Sequence, residues 1–430
     1  MSESRYQSPI SPGRSWYEDD LAVRPTYPAL RDRLDVDVLV VGGGFTGLSA
    51  AYHLARSGVS VALAEAHRCG DGASGRNGGQ IGTGPRLWPS ELEPLVGYER
   101  AKALFDLAED AKADLFSFAR AHDIDMDYRA GQLSVVHKRR YLKAYHEQAE
   151  TLATRYFYPH ATIMDAEETA ARLGSRAYWG GLRDTGTGHI DPLKLVVGLA
   201  RAAKAAGARL FEATPVTSFT RESGRIVAAT PAGQISAERV LLVTNAHGGH
   251  LDRRLAAHIA PIGSFIGATA PLDDPDAILP GGESVDDSRF VVRYFRKSAD
   301  NRLLFGGRET YHSAGSDGRQ LIARQIASVY PQLAHVPLTH VWGGFVAITL
   351  RRLPFVHDVA PGVTAIAGYS GHGVALAPFA GRLYAERVVG HGRRLAQLEA
   401  LDIPPFPGGR VLRTPLLSLA MTWFSIRDRV

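Results

Sequence analysis

The sequence predicts a mixed α/β protein, α+β overall: a helix-wound parallel sheet carrying a three-stranded meander, with an antiparallel-sheet domain inserted into it. Three observations predict it. Residues 36–64 read as one βαβ unit. Residues 191–246 read as a capped helix followed by strands parted by short turns. Residues 86–138 and 261–310 carry helix and strand patterns that do not continue the βα alternation.

The chain has 430 residues, 45% hydrophobic and 22% charged, which suits two domains around a deep core. Its net charge of +5 is scattered, and a short cluster such as "HKRR" (137–140) reads as solvated surface rather than a nucleic-acid site. The single cysteine, Cys69, excludes an intramolecular disulfide and a cysteine cage for zinc or iron–sulfur, and no metal is expected. The first 34 residues are polar and turn-rich, without the apolar core of a signal peptide, and predict an extended or partly mobile arm. A reducing, cytoplasmic location fits both features. No run reaches the roughly 18–20 apolar residues of a membrane span. The most apolar tail segment, "TPLLSLAMTWFSI" (414–426), is expected to pack back onto the protein in preference to lying on a membrane surface.

"VDVLVV" (36–41) is a β-branched run fit for a buried parallel strand. In the helix that follows, Leu48, Ala51, Leu54 and Ala55 share one face, and Gly58 stands where a C-terminal glycine stops a helix. "VSVALA" (59–64) is the second strand, with Glu65 at its carboxyl end. Gly42, Gly44 and Gly47 form G-x-G-x-x-G. They allow a tight turn, close approach of a pyrophosphate, and close helix–strand packing. The helix N-terminus offers N–H groups to phosphates, and Glu65 can accept both hydroxyls of an unphosphorylated ribose. The competing reading, a glycine-rich helix start beside a solvated glutamate, does not explain the order of the parts. The unit by itself leaves NAD and FAD open. The next stretch, "DGASGRNGGQIG" (71–82), has glycine at five of twelve positions. Where a simple NAD fold would start another helix, this loop can lay backbone N–H groups along a pyrophosphate and a ring system.

Further on, Asp191-Pro192 caps a helix that stops at Gly207. Strands within 208–220, 224–230 and 233–246 form a small antiparallel excursion and a return strand ending at "TNAH". Helical periodicity over 86–125, a strand at 128–138, and a hairpin with "SADN" between "FVVRYFRK" and "RLLFGGR" belong to the inserted domain. "HGGH" (247–250) has a metal-like spacing without a neighbouring carboxylate, and "YFYP" (156–159) reads as packing.

The chain resembles the FAD-dependent D-amino-acid oxidase superfamily, which includes glycine and sarcosine oxidases, and most of all its γ-glutamylputrescine oxidase-like subgroup. The resemblance rests on "VDVLVVGGGFTGLSAAYHLARSGVSVALAEA", "GASGRNGGQIG", "LLVTNAH", "PIGSFIGATAPL", "RLLFGGR", "WGGFVAITLRRLP" and "GYSGHGVALAPFAGRLYAE", and spans nearly the whole chain. It implies FAD as cofactor, a discontinuous FAD-binding domain at 35–88, 150–248 and 350–392, and a substrate lid at 89–149 and 249–349. An arm at 1–34 and an extension at 393–430 flank them. Cofactor contacts are implied for Gly42, Gly44, Phe45, Thr46, Gly47, Glu65 and Ala66, and for Ala73, Ser74, Arg76, Asn77, Gly78, Gly79 and Gln80. Val216, laying its backbone against adenine, joins Thr244, Asn245, Gly368, Ser370, Gly371, His372, Gly373 and Val374. Val216 reads equally as an ordinary strand residue, and His372 either meets the ring or caps the helix it precedes. In the middle of that helix Pro378 would interrupt the hydrogen-bond ladder, so either the first turn is irregular or the regular helix starts at Pro378.

The activity implied is oxidation of an amine C–N bond by hydride transfer to flavin N5, giving an imine that water hydrolyses. The flavin is reoxidised by O2, yielding H2O2, or by another acceptor. Gln80, Tyr294, Trp342, Phe345 and His372 are expected to form the substrate-side wall. Lys297 is expected in the lid turn, and His357 replaces a glycine common in relatives. The partner is then a small amine, γ-glutamylputrescine-like or another primary or secondary amine. A D-amino-acid or N-methylglycine dehydrogenase would want a lid arginine, from Arg289, Arg293, Arg296 or Arg308. A nicotinamide dehydrogenase and a non-catalytic flavin- or nucleic-acid-binding protein are the rivals from other classes.

Overall fold

The computed structural model describes residues 8–310 and 317–409. The first sheet grows from the run Val38–Val41, every residue of which is buried, so helices must cover both faces. Strand Arg33–Val41 lies centrally, parallel to Gly233–Leu242 on one side and Val61–Ala64 on the other. The sheet continues to Arg209–Phe211 at one edge, and through Val363–Ala367 to the antiparallel Phe355–Ala360 at the other. Ser218–Glu222 and Arg225–Thr230 fold antiparallel onto the start of Gly233–Leu242, completing the meander.

Helix Phe45–Arg56 follows the first strand, and Gly58 adopts φ +78° beyond its end. Gly42 turns the chain with φ +119°. A Cβ on Gly47 would stand 2.0 Å from the Gly42 carbonyl oxygen, so no larger residue fits there. Asp191 caps helix Pro192–Ala205, its carboxylate accepting from the N–H groups of Leu193 and Lys194 at 2.8 and 3.0 Å.

The second sheet runs Leu338–Ile348, Ala260–Thr269, Leu303–Thr310, Tyr294–Lys297, Ser284–Asp287, Arg129–Val135, Gly181–His189 and Gln80–Ile81, with Ala161–Met164 beside Gly181–His189. It is antiparallel except where Ser284–Asp287 pairs parallel with Arg129–Val135. Several expectations are corrected here. Residues 161–164 and 181–189 pair in this sheet, although the expectation placed all of 150–248 in the nucleotide-binding domain. The glycine-rich segment ends as a strand, Gln80 opposite His189, and crosses from one sheet to the other. "FVVRYFRK" is extended only from Tyr294, because the Asp287 carboxylate takes the N–H groups of Arg289 and Arg293 and wraps the chain around itself. Lys297 ends that strand, buried, its Nζ donating to Pro275 O at 2.6 Å, and is not part of the turn.

The amino-terminal arm is also ordered differently from its prediction. Residues from Ser8 onward pack against the body, Trp16–Asp20 is helical, and Trp16 and Tyr17 are buried. Pro378 causes no break: helix Leu376–Val388 places it in the first turn, where its missing N–H has no intrahelical partner to lose. Leu395, Leu398, Leu401, Ile403 and Phe406 bury the start of the carboxyl-terminal extension. The segment 414–426 lies outside the described residues.

Arg296 joins the pieces. Its guanidinium donates to Gly78 O at 2.6 Å, Ile190 O at 2.9 Å and the Tyr17 hydroxyl at 3.1 Å, tying loop, second sheet and arm together. Replacing it with Met strands these buried acceptors. The Arg296→Met protein should lose about 2–4 kcal/mol of stability, read as a lower midpoint in denaturant titration.

Candidate flavin site and the chamber beside it

The carboxyl ends of strands Arg33–Val41 and Gly233–Leu242 open onto a cleft, where ligands gather in open α/β sheets. One part, about 310 Å³, is lined by Gly42–Gly44, Glu65, Ala66, Ala73, Ser74, Val216, Thr244 and Asn245, among others. It runs on through Gly44, Ala73, Ser74, Val243 and Asn245 into a second part of about 110 Å³. There Phe45, Thr46, Asn77, Ser370, Gly371, Gly373 and Val374 line the wall. Val216 lies between strands, not within one, beside Pro215.

The wall is set by local rules. Helix Phe45–Arg56 starts at Gly44 without a side-chain cap, its first N–H donating to Ser74 Oγ at 3.0 Å. Glu65 accepts from Gly43 N–H at 2.6 Å and His67 N–H at 3.0 Å, and burial pushes its carboxyl above the ordinary range. The Asn77 side chain folds the loop on itself, donating to Ala73 O and Ser74 O and accepting from Gly79 N–H. Tyr369 meets Thr46 Oγ1 at 2.7 Å. Asn245 and Ser370 hold positive φ, +49° and +52°, a backbone cost that concentrates at functional sites. Asn245 Oδ1 accepts from Gly368 N–H at 3.0 Å, joining the two turns across the cleft.

Other predicted contacts lie elsewhere. The Arg76 guanidinium turns away from the cleft, with Nε donating to Gly343 O at 2.8 Å and Nη2 to Pro12 O and Gly13 O, so it anchors the loop rather than a phosphate. Gly78 packs under the Tyr294 ring, and Gly79 against Ile190 O. Trp342 is fully buried, its Nε1 donating to Arg76 O at 3.0 Å, and belongs to no substrate wall. Phe345 faces the nucleotide part of the cleft beside His247, not the substrate side. Gln80 Nε2 donates to Val285 O and Tyr294 shares a hydrogen bond with Ser264, so both are second-sheet residues beside the loop.

His372 has a different position from its neighbours. Gly371 and Gly373 line the flavin-side cleft, whereas the His372 ring lines a separate chamber of about 120 Å³ with Gly82, Arg86, Trp88, Gln132, Gln148 and Asp286. A Cβ on Gly82 would lie 1.9 Å from its Nε2, so the ring rests on bare backbone. Burial, then the charges of Arg86 and Lys112, pushes its pKa down to about 3, so the ring is neutral at physiological pH. The sequence reading missed this chamber, although "GTGPRLW" continues the glycine-rich strip into it.

Residues 37–387 match the family described as "FAD dependent oxidoreductase". The chain belongs to that family. This flavoenzyme is 54% identical to "Probable oxidoreductase OrdL" of Rhizobium meliloti, over 99% of each chain. It is 34% identical to "Gamma-glutamylputrescine oxidoreductase" of Escherichia coli, covering 97% of this chain and 98% of that one. The crystal structure of glycine oxidase from Geobacillus kaustophilus superposes with a TM-score of 0.69, covering 86% and 97% of the two chains at 22% identity, and so shares the fold.

FAD fits the cleft on its own chemistry. Thr244 Oγ1 and His247 Nε2 are buried polar atoms without a partner among the described residues, and both belong to residues lining the nucleotide part. Glu65 would hold the ribose hydroxyls, the N-terminus at Gly44 the pyrophosphate, and the Gly371–Val374 turn the isoalloxazine edge. Glu65→Gln replaces one acceptor with a donor, and should weaken FAD roughly 10–100-fold, measured by the recovery of flavin fluorescence on dilution.

His372 also sets an acid limit. In the unfolded chain its imidazole takes up a proton below about 6.5, in the folded chain only near 3. The unfolded state therefore binds more protons in that window, and stability falls as pH drops through it. His372→Gln should flatten the acid limb by up to about 1.4 kcal/mol per pH unit between these values, read from denaturant midpoints across pH.

Proposed function

We propose that the protein oxidises the C–N bond of a small amine of the γ-glutamylputrescine type, or another primary or secondary amine. The imine product hydrolyses to a carbonyl, and O2 or another acceptor restores the cofactor. When bound, FAD supplies the two-electron acceptor. The observation that carries the reading is the paired cavities: a dinucleotide cleft lined by Gly371 and Gly373, and a polar chamber lined by the ring of the intervening His372. The relationship to a γ-glutamylputrescine oxidoreductase along nearly the whole chain supports it.

The chain's own residues bind and orient. A neutral His372 adds no positive charge at the partition, so an amine can approach there without repulsion, and its Nδ1 or Nε2 can accept a hydrogen bond from the amine N–H. With its pKa near 3 the ring is too weak a base to take an ammonium's proton, so the amine has to enter as the neutral base. A D-amino-acid reading is less favoured, because two of the lid arginines suggested for a carboxylate are spent: Arg289 on Asp287, Arg296 on backbone carbonyls. Arg293 donates to Ser328 Oγ at 2.9 Å, and the Arg308 side chain lies outside the described residues.

The test is anaerobic mixing of the yellow holoprotein with free and γ-glutamylated diamines and with glycine and D-alanine. The γ-glutamylated diamine should bleach the band near 450 nm and yield peroxide in air if O2 is the acceptor. Bleaching by the amino acids alone, or by none of these, would overturn the proposal.

A further inference from the structure

The chamber beside His372 carries charged and polar groups that the protein itself leaves unsatisfied. Its floor is complete. Asp184 accepts from Thr83, Tyr158 and the Gly186 N–H, while Lys112 donates to Thr83 and Gly186 O and pairs with Glu109. Its wall is not. Arg86 lines the chamber and makes no hydrogen bond or ion pair with any described residue. Asp286 is held through Oδ1, which accepts from Gln132 Nε2 at 2.6 Å and Ser134 Oγ at 2.7 Å, and its Oδ2 takes no hydrogen bond from the described residues. Gln132 Oε1 is buried without a partner, and Gln148, buried and lining the same space, makes no hydrogen bond.

Buried polar groups are ordinarily satisfied; the orphaned Gln132 Oε1, together with the buried Gln148 and the half-buried Arg86 and Asp286 facing the same cavity, marks a place for a polar ligand. The signs decide its chemistry. A polyanion would meet Asp286. A plain polyamine would bring like charge beside Arg86 and leave its fork unused. Arg86 and Asp286 line the same chamber, and Arg86 is near enough to draw the Asp286 carboxyl down against the larger upward push of burial, yet the two make no direct ion pair. A ligand bearing a carboxylate and an ammonium close together satisfies every group: carboxylate on the Arg86 fork, ammonium on Asp286 Oδ2 and Gln132 Oε1.

We infer that this chamber holds the non-reacting α-amino-acid head group of the substrate, with Arg86 and Asp286 as the specificity-determining pair. The inference rests on the amine-oxidising reading above, and narrows its substrate class to amines joined through a side chain to a free amino acid. Trp88 and Phe105 bring apolar surface to the same chamber, suited to the methylene chain between the two ends.

Two measurements on the FAD-loaded enzyme test it. Calorimetry with γ-glutamyl-n-butylamide, which has the head group but no oxidisable terminal amine, reads binding alone. Arg86→Ala and Asp286→Asn should each weaken it at least tenfold, and Arg86→Lys less than Arg86→Ala, because an ammonium cannot supply the bidentate fork. In turnover, kcat/KM for γ-glutamylputrescine relative to putrescine should fall at least tenfold in Arg86→Ala. The 450 nm band of each variant reports that it is folded and loaded, and Arg86→Lys or Asp286→Asn serves if Arg86→Ala is not. No binding of the probe by the wild type, or unchanged affinity and selectivity in the variants, overturns the inference. If the probe binds through Arg86 but no amine bleaches the flavin, the head-group site stands and the amine-oxidising reading fails.

Discussion

The site depends on how a nearly side-chain-free strip, residues 70–82, is held in place. Glycine-rich backbone has the most conformational entropy to lose, and hydrophobic burial offers such a segment little in return. Two buried guanidinium groups offset that cost. Arg76, from within the strip, reaches out to Gly343, Pro12 and Gly13; Arg296, from the second sheet, reaches in to Gly78. Each is a planar fork spent on backbone oxygens, a use in which lysine could not replace it. With the strip fixed, Ser74 and Asn77 are placed at the cleft, and Gly82 becomes the surface on which His372 rests.

The same strip sorts charge. Just before it Glu65 is held buried by two backbone N–H groups. At its end the chain passes beneath a neutral imidazole into a space where an arginine and an aspartate stand unpaired with each other. One short stretch thus marks three environments in sequence: a nucleotide end, a reaction boundary and a polar recognition end.

Much of the first sheet was legible because its signals are local. The β-branched run at 36–41, the spacing of Gly42, Gly44 and Gly47, and the Asp191-Pro192 cap each act within a few residues. The second sheet was legible only in pieces, since the pairing of Gly181–His189 with both Arg129–Val135 and Gln80–Ile81 depends on long-range register. Side-chain direction was the least legible. Arg76, Trp342 and Phe345 stand in or near motifs that resemble cofactor or substrate contacts, yet two serve packing and one faces the nucleotide end. The chamber went unseen because Arg86, the Gln132–Gln148 stretch and Asp286 are far apart in sequence. Order in the arm was unreadable for the same reason: Tyr17 is buried by Trp342 and Arg296, some 300 residues away.

The parallel register of Arg33–Val41 against Gly233–Leu242 has a consequence for biogenesis. The nucleotide motif emerges early from the ribosome, but its neighbouring strand follows some 200 residues later, and the Gly368–Val374 turn later still. Until then the apolar edge of the early strand has no partner, and such exposed edges recruit chaperones or aggregate. The cofactor cleft, built from residues on both sides of that long interval, is therefore complete only once nearly the whole chain has been made.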